Sequence, residues 1–449
     1  MELESQRKHR RLDNDDDAGD GAVCSAGDPL STLPDCLLHD ILSRLKARQV
    51  VQTSVLSRRW SSLWRSVPCL DVDQDEFTAA AAPGDDTAKE CWGRFERFTD
   101  HLLIRRNVGV VLLDSFRLSV GDPWWCDQAA RWIWHIVKHG AQDHHRHPSP
   151  AATTTLSWNL KMLHLSNVSV DDRLAEHIRS RCPSLQEVQL KGCRCDMRQI
   201  TSRSLRKLLL QDCDCTRLSA ITSPKLERLA IYGGRVTGDG PLAVVAPSLV
   251  YLVYLGLSVP DCPGGVHLDE MPSLGHAFVD VWGATVTPLG QNVSGIDYYR
   301  LLGSVSSVAI LELEVECFVA VESAVLPQFK NLRVLSVRGC KQHTASFEML
   351  LLRHFLRSSP NLELLAVHYC EKDSTGTEEI DTAQYRIAEI RYKEEEYLLQ
   401  QVRLLLNDPQ DTVIKLIKVS PMGLESVENF PCEYQSGFST CTCAHNEWR

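Results

Sequence analysis

Leu160-Lys-Met-Leu163-His-Leu165, Leu185-Gln-Glu-Val188-Gln-Leu190, Leu205-Arg-Lys-Leu208-Leu-Leu210, Leu226-Glu-Arg-Leu229-Ala-Ile231 and Leu249-Val-Tyr-Leu252-Val-Tyr254 share one pattern, apolar at the first, fourth and sixth places, the last copy being the weakest. Their leading residues lie 25, 20, 21 and 23 positions apart. Alternating apolar places predict a strand with one buried face. Recurrence at that interval predicts a solenoid, each unit stacking one strand of a parallel sheet on the last. Later copies are Leu332-Arg-Val-Leu335-Ser-Val337 and Leu362-Glu-Leu-Leu365-Ala-Val367.

Two regularities fix the phase. Pro183, Pro224, Pro247, Pro272 and Pro360 each stand two residues before a leading Leu, holding the backbone extended where a strand begins. Cys193, Cys213, Cys340 and Cys370 each stand eight residues after one. The spacing resembles that of leucine-rich repeats, and the resemblance places these Cys at the inward Asn/Cys position that closes the turn after the strand. Between Leu274 and Leu332 the pattern degrades; Ala309-Ile-Leu-Glu-Leu-Glu-Val315 alternates like a strand, its phase left open.

Upstream, LPDCLLHDILSRLKARQVVQTSVLSRRWSSLWRSVPCLDVD (33–73) reads as three short helices. Pro34 suits a first helical position and Asp35 complements the helix dipole. Leu37, Leu38, Ile41, Leu42 and Leu45 then make a wide apolar face. A second helix is expected over Ala47–Leu56 with Val50, Val51 and Val55 inward. A third is expected after an N-cap at Ser57, carrying Trp60, Leu63 and Trp64. About forty residues cannot enclose so many large side chains. Some of that surface packs on the rest of the chain or on a partner, and periodicity alone leaves the two open.

The segment resembles a plant F-box, especially of the group in which leucine-rich repeats follow. The matching residues are Leu33-Pro34-Asp35, Leu37-Leu38, Ile41-Leu42, Ala47-Arg48-Gln49, Val55-Leu56-Ser57-Arg58-Arg59-Trp60, Leu63-Trp64 and Val67-Pro68. Cys36 and Lys46 depart from it, standing where an acidic or polar residue and a Pro are common. The resemblance implies docking to a Skp-type adaptor, and through it to a cullin–RING ligase, by Leu33, Pro34, Leu37, Leu38, Ile41, Leu42, Val55 and Trp60.

The expected fold is therefore α + α/β: a small three-helix F-box (29–73) followed by a leucine-rich-repeat solenoid with a curved parallel sheet (156–375). Residues 1–28 read as a disordered charged tail. Residues 74–155 read as a helical linker region, with a loop near Ala79–Asp86, helices around Trp92, Phe95 and Phe98 and around Trp125, Trp132 and Ile136, and a His/Pro-rich loop. Residues 376–449 read as a strand, a charged helix near Lys393 and a tail, loosely resembling the FBD-like C-terminus of many such proteins.

Composition limits the function. Forty-eight basic against 58 acidic residues give a net charge of −10, contrary to a general nucleic-acid binder. The first 28 residues lack an apolar signal segment. The uncharged run Pro241–Pro260 falls in register with the repeats and is read as strand, not as a membrane span. Seventeen Cys without a secretory signal point to a reducing compartment, so the sequons at Asn167 and Asn292 carry no weight. Arg7-Lys8-His9-Arg10-Arg11 fits a nuclear localisation run or a solvated one; nucleus, cytoplasm or both is the expected location. The His-rich run 139–147 reads as a surface loop, and Cys432, Cys441, Cys443 and His445 lack the paired knuckles of a zinc site. No phosphate loop, dinucleotide glycine run, zinc-protease helix or nucleophile elbow is present. Neither cofactor, metal, catalytic residue, nucleic acid nor membrane is expected. The expected function is a non-catalytic, substrate-recognition subunit of a Skp–cullin–F-box ubiquitin ligase; the alternative is a repeat-based interaction scaffold outside a ligase. The candidate face for an unknown protein substrate is Lys161, His164, Gln186, Gln189, Arg206, Arg228 and Arg333.

Overall fold

A computed structural model describes residues 29–78, 85–106, 113–121, 126–139, 159–236, 240–255, 266–269, 271–280, 301–315, 327–340, 355, 357–370, 386–392 and 412–418. Helix α1 is Asp35–Leu42, α2 is Ala47–Gln52 and α3 is Trp60–Leu63. The Ser57 hydroxyl accepts from the Trp60 amide at 3.5 Å at the start of α3. The second helix is shorter than expected, because it tightens into a 3₁₀ turn at Thr53–Val55. That change of pitch corrects one residue. Val50 points inward, but Val55 turns out to solvent at 85% exposure.

Strands β1 (Cys69–Asp73), β2 (Ser115–Ser119) and β3 (Met162–Ser166) open the main sheet. Strands β4 (Ser169–Asp171), β5 (Glu187–Lys191), β6 (Arg194–Asp196), β7 (Gln199–Thr201), β8 (Lys207–Gln211), β9 (Ala220–Thr222) and β10 (Arg228–Tyr232) follow. Then come β11 (Leu242–Val245), β12 (Tyr251–Leu255), β13 (Val266–Asp269), β14 (His276–Asp280) and β15 (Ile310–Val315). The last are β16 (Val334–Cys340), β17 (Leu364–Cys370), β18 (Arg386–Tyr392) and β19 (Thr412–Lys418). Thirteen of them form one sheet in the order β1-β2-β3-β5-β8-β10-β12-β14-β15-β16-β17-β19-β18. Pairing is parallel as far as β17; β19 then runs antiparallel to β17, and β18 parallel to β19.

The repeated motif has the register it predicts. Leu163, Val188, Leu208, Leu229 and Leu252 lie opposite one another on successive strands, and all are buried. The degraded stretch joins the same row, with Leu311 between Ala277 and Leu335. Within Pro241–Pro260, β11 and β12 are the described part. Among the described residues no helix is long and apolar enough to cross a membrane.

The sheet starts well before residue 156. Leu70 and Phe116 occupy the row of Leu163, so the end of the 29–73 segment contributes one strand and the linker a second. Ser115 follows Cys69 by 46 positions and Met162 follows Ser115 by 47, which hides both from a search at the shorter interval. Helices fill those gaps: α4 (Asp75–Thr78) and α5 (Asp85–Arg106), then α6 (Cys126–His139). α7 (Asp172–Arg181) packs against the short strands β4 and β7. Farther along, a second sheet in the order β13-β11-β9-β7 takes the place of the helices.

α2 packs on β1, which joins the helical module to the sheet. Lys46 pairs with Asp73, the Arg48 amide donates to Glu76 at 3.3 Å, and the Arg48 guanidinium lies 4.8 Å from the Phe77 ring centre. Lys46, one of the two departures from the F-box pattern, is thus a contact with the first strand. Behind it, Phe95 meets Phe77, Trp92 and Trp132 with ring centres at 5.6, 5.6 and 5.4 Å. The Trp132 indole N–H donates to Asp100 at 2.7 Å. Arg106 is buried beside this layer and donates to the Val67 carbonyl; burial pulls its guanidinium down to about 10. One apolar core runs from Leu38 to Leu365.

The turns after the strands alternate large and small residues. Asn167 and Asp212 have φ of 57° and 52°, and Gly192, between them in the stack, has φ of 59°. The Asn167 side chain donates to the Val120 carbonyl at 2.7 Å, and a Cβ on Gly192 would meet its Oδ1 at 2.2 Å. Gly192→Ala therefore adds a steric collision to left-handed backbone strain. We expect a loss of about 2 kcal/mol in urea denaturation, partly recovered when Asn167→Gly is added. Cys193 and Cys213 occupy the expected inward place, their thiols 3.3 Å from the Leu165 and Leu190 carbonyls. Cys340 and Cys370 face each other in register on β16 and β17; their side chains are outside the described residues. So are residues 1–28, most of Ala79–Asp86, Trp125, the His-rich run beyond His139, the expected helix near Lys393 and the four C-terminal Cys and His.

Candidate docking surfaces

The first surface lies on the helical module. Arg59 ties its ends together, donating to the Leu33 carbonyl at 2.5 Å and to Asp35 Oδ1 at 3.0 Å. With that frame set, α1 divides its apolar side chains between two faces. Leu38 and Leu42 enter the core with Trp60, whereas Leu37 and Ile41, one turn apart, face solvent. Pro34 is exposed and Leu33 half-buried. Among the described residues, eight large hydrophobic side chains are exposed, and Leu30, Leu37, Ile41, Val55 and Leu56 are five of them. Such a concentration within 27 residues (30 to 56) makes this the candidate docking surface of the module. The eight residues expected at the adaptor thus fall into five with surface to offer and three that shape the module from inside. Leu56 joins the outward set; its signal was its place at the end of an amphipathic helix, beyond the last inward residue.

The second surface is the sheet face turned away from the main core. Its first outward row holds Met162, Glu187, Lys207, Arg228, Tyr251 and His276, and the next Arg117, His164, Gln189, Leu209, Ala230, Val253, Phe278 and Glu312. Of the expected substrate face, Arg228 falls in the first of these rows and His164 and Gln189 in the second. Lys161, Gln186, Arg206 and Arg333 stand just before the strands and are exposed. The structure therefore resolves the seven into a sheet face and a rim.

Charges on this surface are matched between neighbouring strands. Glu187 accepts from Gln189 at 2.7 Å and lies 2.9 Å from His164 and 3.7 Å from Lys207. On the rim, Arg206 meets Glu227 at 2.6 Å and Arg333 meets Glu363 at 3.6 Å. His276 and Glu312 are 2.9 Å apart, and the Arg228 guanidinium lies 5.8 Å from the Tyr251 ring centre. Between these groups, Leu209, Ala230, Tyr232, Val253 and Phe278 form a second apolar cluster, itself buried, with Tyr251 against it, so the surface on offer is the charged positions and the rim. Reading outward places for charge alone missed this cluster. Its signal is the loss of alternation in Leu208-Leu-Leu210 and Ala277-Phe-Val279.

Burial works to raise the Glu187 carboxyl, but the His164 hydrogen bond and the His164 and Lys207 charges more than offset it, holding the group below the ordinary value. A carboxyl depressed by folding adds stability above its unfolded value, near 4.3, and loses it as pH falls through the folded value. Glu187→Gln should therefore cost roughly 1 kcal/mol at neutral pH, with wild type and variant converging as pH drops below about 4. Chemical denaturation across pH measures this.

Comparison with known proteins identifies the two modules that carry these surfaces. Residues 30–71 match the F-box domain family model, and residues 139–265 match the model described as FBD-associated F-box protein At5g56370, LRR repeats. The chain carries an F-box followed by leucine-rich repeats. A rice relative (Oryza sativa subsp. japonica), the MEIOTIC F-BOX protein MOF, is 28% identical over 77% of this chain and 72% of its own length. The F-box/FBD/LRR-repeat protein At5g22660 of Arabidopsis thaliana is 26% identical over 77% of this chain and 78% of its own. The F-box/LRR-repeat protein 13 of the same plant reaches 45% identity over 74 residues. The outward residues Leu37, Ile41, Val55 and Leu56 all lie within the F-box match. Lys161, His164, Gln186, Gln189, Arg206 and Arg228 lie within the repeat match, and Arg333 beyond it.

Proposed function

We propose that this chain is the substrate-recognition subunit of a Skp–cullin–F-box ubiquitin ligase. The observation that carries the reading is the set of exposed apolar residues, Leu37, Ile41, Val55 and Leu56, on a module whose inward residues Leu38, Leu42 and Trp60 are already buried in the chain's continuous core. Those side chains, with Leu33 and Pro34, meet the Skp-type adaptor, and the adaptor joins the cullin. The outer sheet face and its rim hold a target protein. The chain performs no chemical step in this reading. It works by proximity, since a tethered target has its lysines at a raised effective concentration near ubiquitin carried elsewhere in the assembly. The junction at Lys46, Arg48 and Phe95 supports it, because a target held on the sheet is then held at a set distance from the adaptor. The proposed location is the nucleus, the cytoplasm or both. Proteins captured by the full chain from plant cells, with and without inhibition of cullin ligases, test this function. Targets should accumulate on the bait under inhibition and carry ubiquitin without it. Captured proteins that neither accumulate nor become ubiquitinated would leave an interaction scaffold instead.

A further inference from the structure

On the turns that lead into β5, β8 and β10, three cations have no ion-pair partner among the described residues. Arg181 ends α7, Arg203 precedes β8 and Lys225 precedes β10, and all three are exposed. The turns that carry them are bonded into one edge. The Ser204 hydroxyl donates to the Cys182 and Leu185 carbonyls at 3.3 and 2.8 Å, and the Ser202 amide donates to the Thr222 carbonyl at 3.0 Å. Charges close by are used up in pairs, Arg179 with Glu176 at 2.7 Å and Arg206 with Glu227 at 2.6 Å. A helix C-terminus favours a cation at Arg181, but no such cause applies to Arg203 or Lys225. The three stand four, two and one residues before the leading Leu of successive repeats, and like charges on neighbouring turns repel one another and are stabilised by an anionic partner.

We propose that Arg181, Arg203 and Lys225 form a cationic strip that docks an acidic, extended segment of a partner protein. Carboxylates on alternate residues of such a segment recur about every 6.7 Å, so that successive carboxylates can meet cations on successive turns, and each Arg offers a forked donor to a carboxylate. Nucleic acid fits less well. The strip's turns present Pro183, Ser184, Ser204 and Pro224 rather than aromatic rings for base stacking, and a chain of net charge −10 repels a long polyanion. The strip lies outside the exposed F-box residues and does not depend on adaptor docking.

The test is fluorescence anisotropy of the full chain with a labelled peptide alternating Glu and Ser. Binding is expected, weakening as salt rises, and absent for a peptide alternating Lys and Ser. R181E/R203E/K225E should lose about ten-fold or more, whereas K191E, an exposed cation at the other end of β5, should bind as wild type. Circular dichroism checks folding. If the triple variant misfolds, Arg203→Gln with Lys225→Gln should still lose about three-fold. Undiminished binding by these variants overturns the proposal. So does a single-stranded oligonucleotide that binds more tightly and is lost in the same variants. Binding that appears only after removal of residues 1–28, with their Asp13, Asp15, Asp16 and Asp17, also overturns it by making the chain's own tail the occupant.

Discussion

Leu37→Asp combined with Ile41→Asp should weaken binding of a Skp-type adaptor by about 100-fold or more in calorimetric titration, with little change in melting temperature. Both side chains are already half in solvent, at 45% and 43% exposure, so the free protein loses little; surface changes usually stay within about 0.5 kcal/mol. In the complex each loses its remaining apolar burial, about 1 kcal/mol, and each new carboxylate must shed water without a partner, about 1–3 kcal/mol. Together these exceed about 2.7 kcal/mol, which is 100-fold. Leu38→Asp is the instructive contrast. Leu38 has no exposed surface, so a carboxylate there unfolds the module, and a loss of adaptor binding would carry no information about the interface. Val55→Asp, at the most exposed of these positions, offers an independent probe.

The second large effect is expected at the junction between the F-box and the sheet. Phe95 is wholly buried, with three aromatic rings within 5.6 Å of its own. Phe95→Ala should cost about 3–5 kcal/mol through lost burial and the cavity left behind. Phe95→Leu should cost less than about 1.5 kcal/mol, since most of the volume is kept. Near-ultraviolet circular dichroism during thermal melting follows this aromatic layer directly. Equal melting of the two variants would mean that the layer does not hold the module to the sheet.

Much of this architecture was legible because its signals are periodic. Residues such as Leu163, Leu208 and Leu229 announce their row by spacing alone, and Cys193 and Cys213 mark the turn that follows. What escaped was aperiodic. β1 and β2 carry the same inward pairs, Leu70 with Val72 and Phe116 with Leu118, but long helices between them break the interval. Val55 was misread as inward because a helical face was extended through a segment that winds as 3₁₀. The outer apolar cluster around Phe278 escaped because alternation was expected there, and its absence is the signal. On the F-box, resemblance could name eight residues but could not divide them. Periodicity places Leu37 and Leu38 on one broad face; only packing against α3 and the sheet decides which one is left for a partner.

The exposed F-box residues are proposed to join this chain to a ligase. Co-expression of the full chain with a Skp-type adaptor and a cullin, followed by size-exclusion chromatography, tests it most directly. One stoichiometric assembly containing all three is expected, lost in the Leu37→Asp, Ile41→Asp double variant. Wild-type chain that elutes folded and free of adaptor would contradict it.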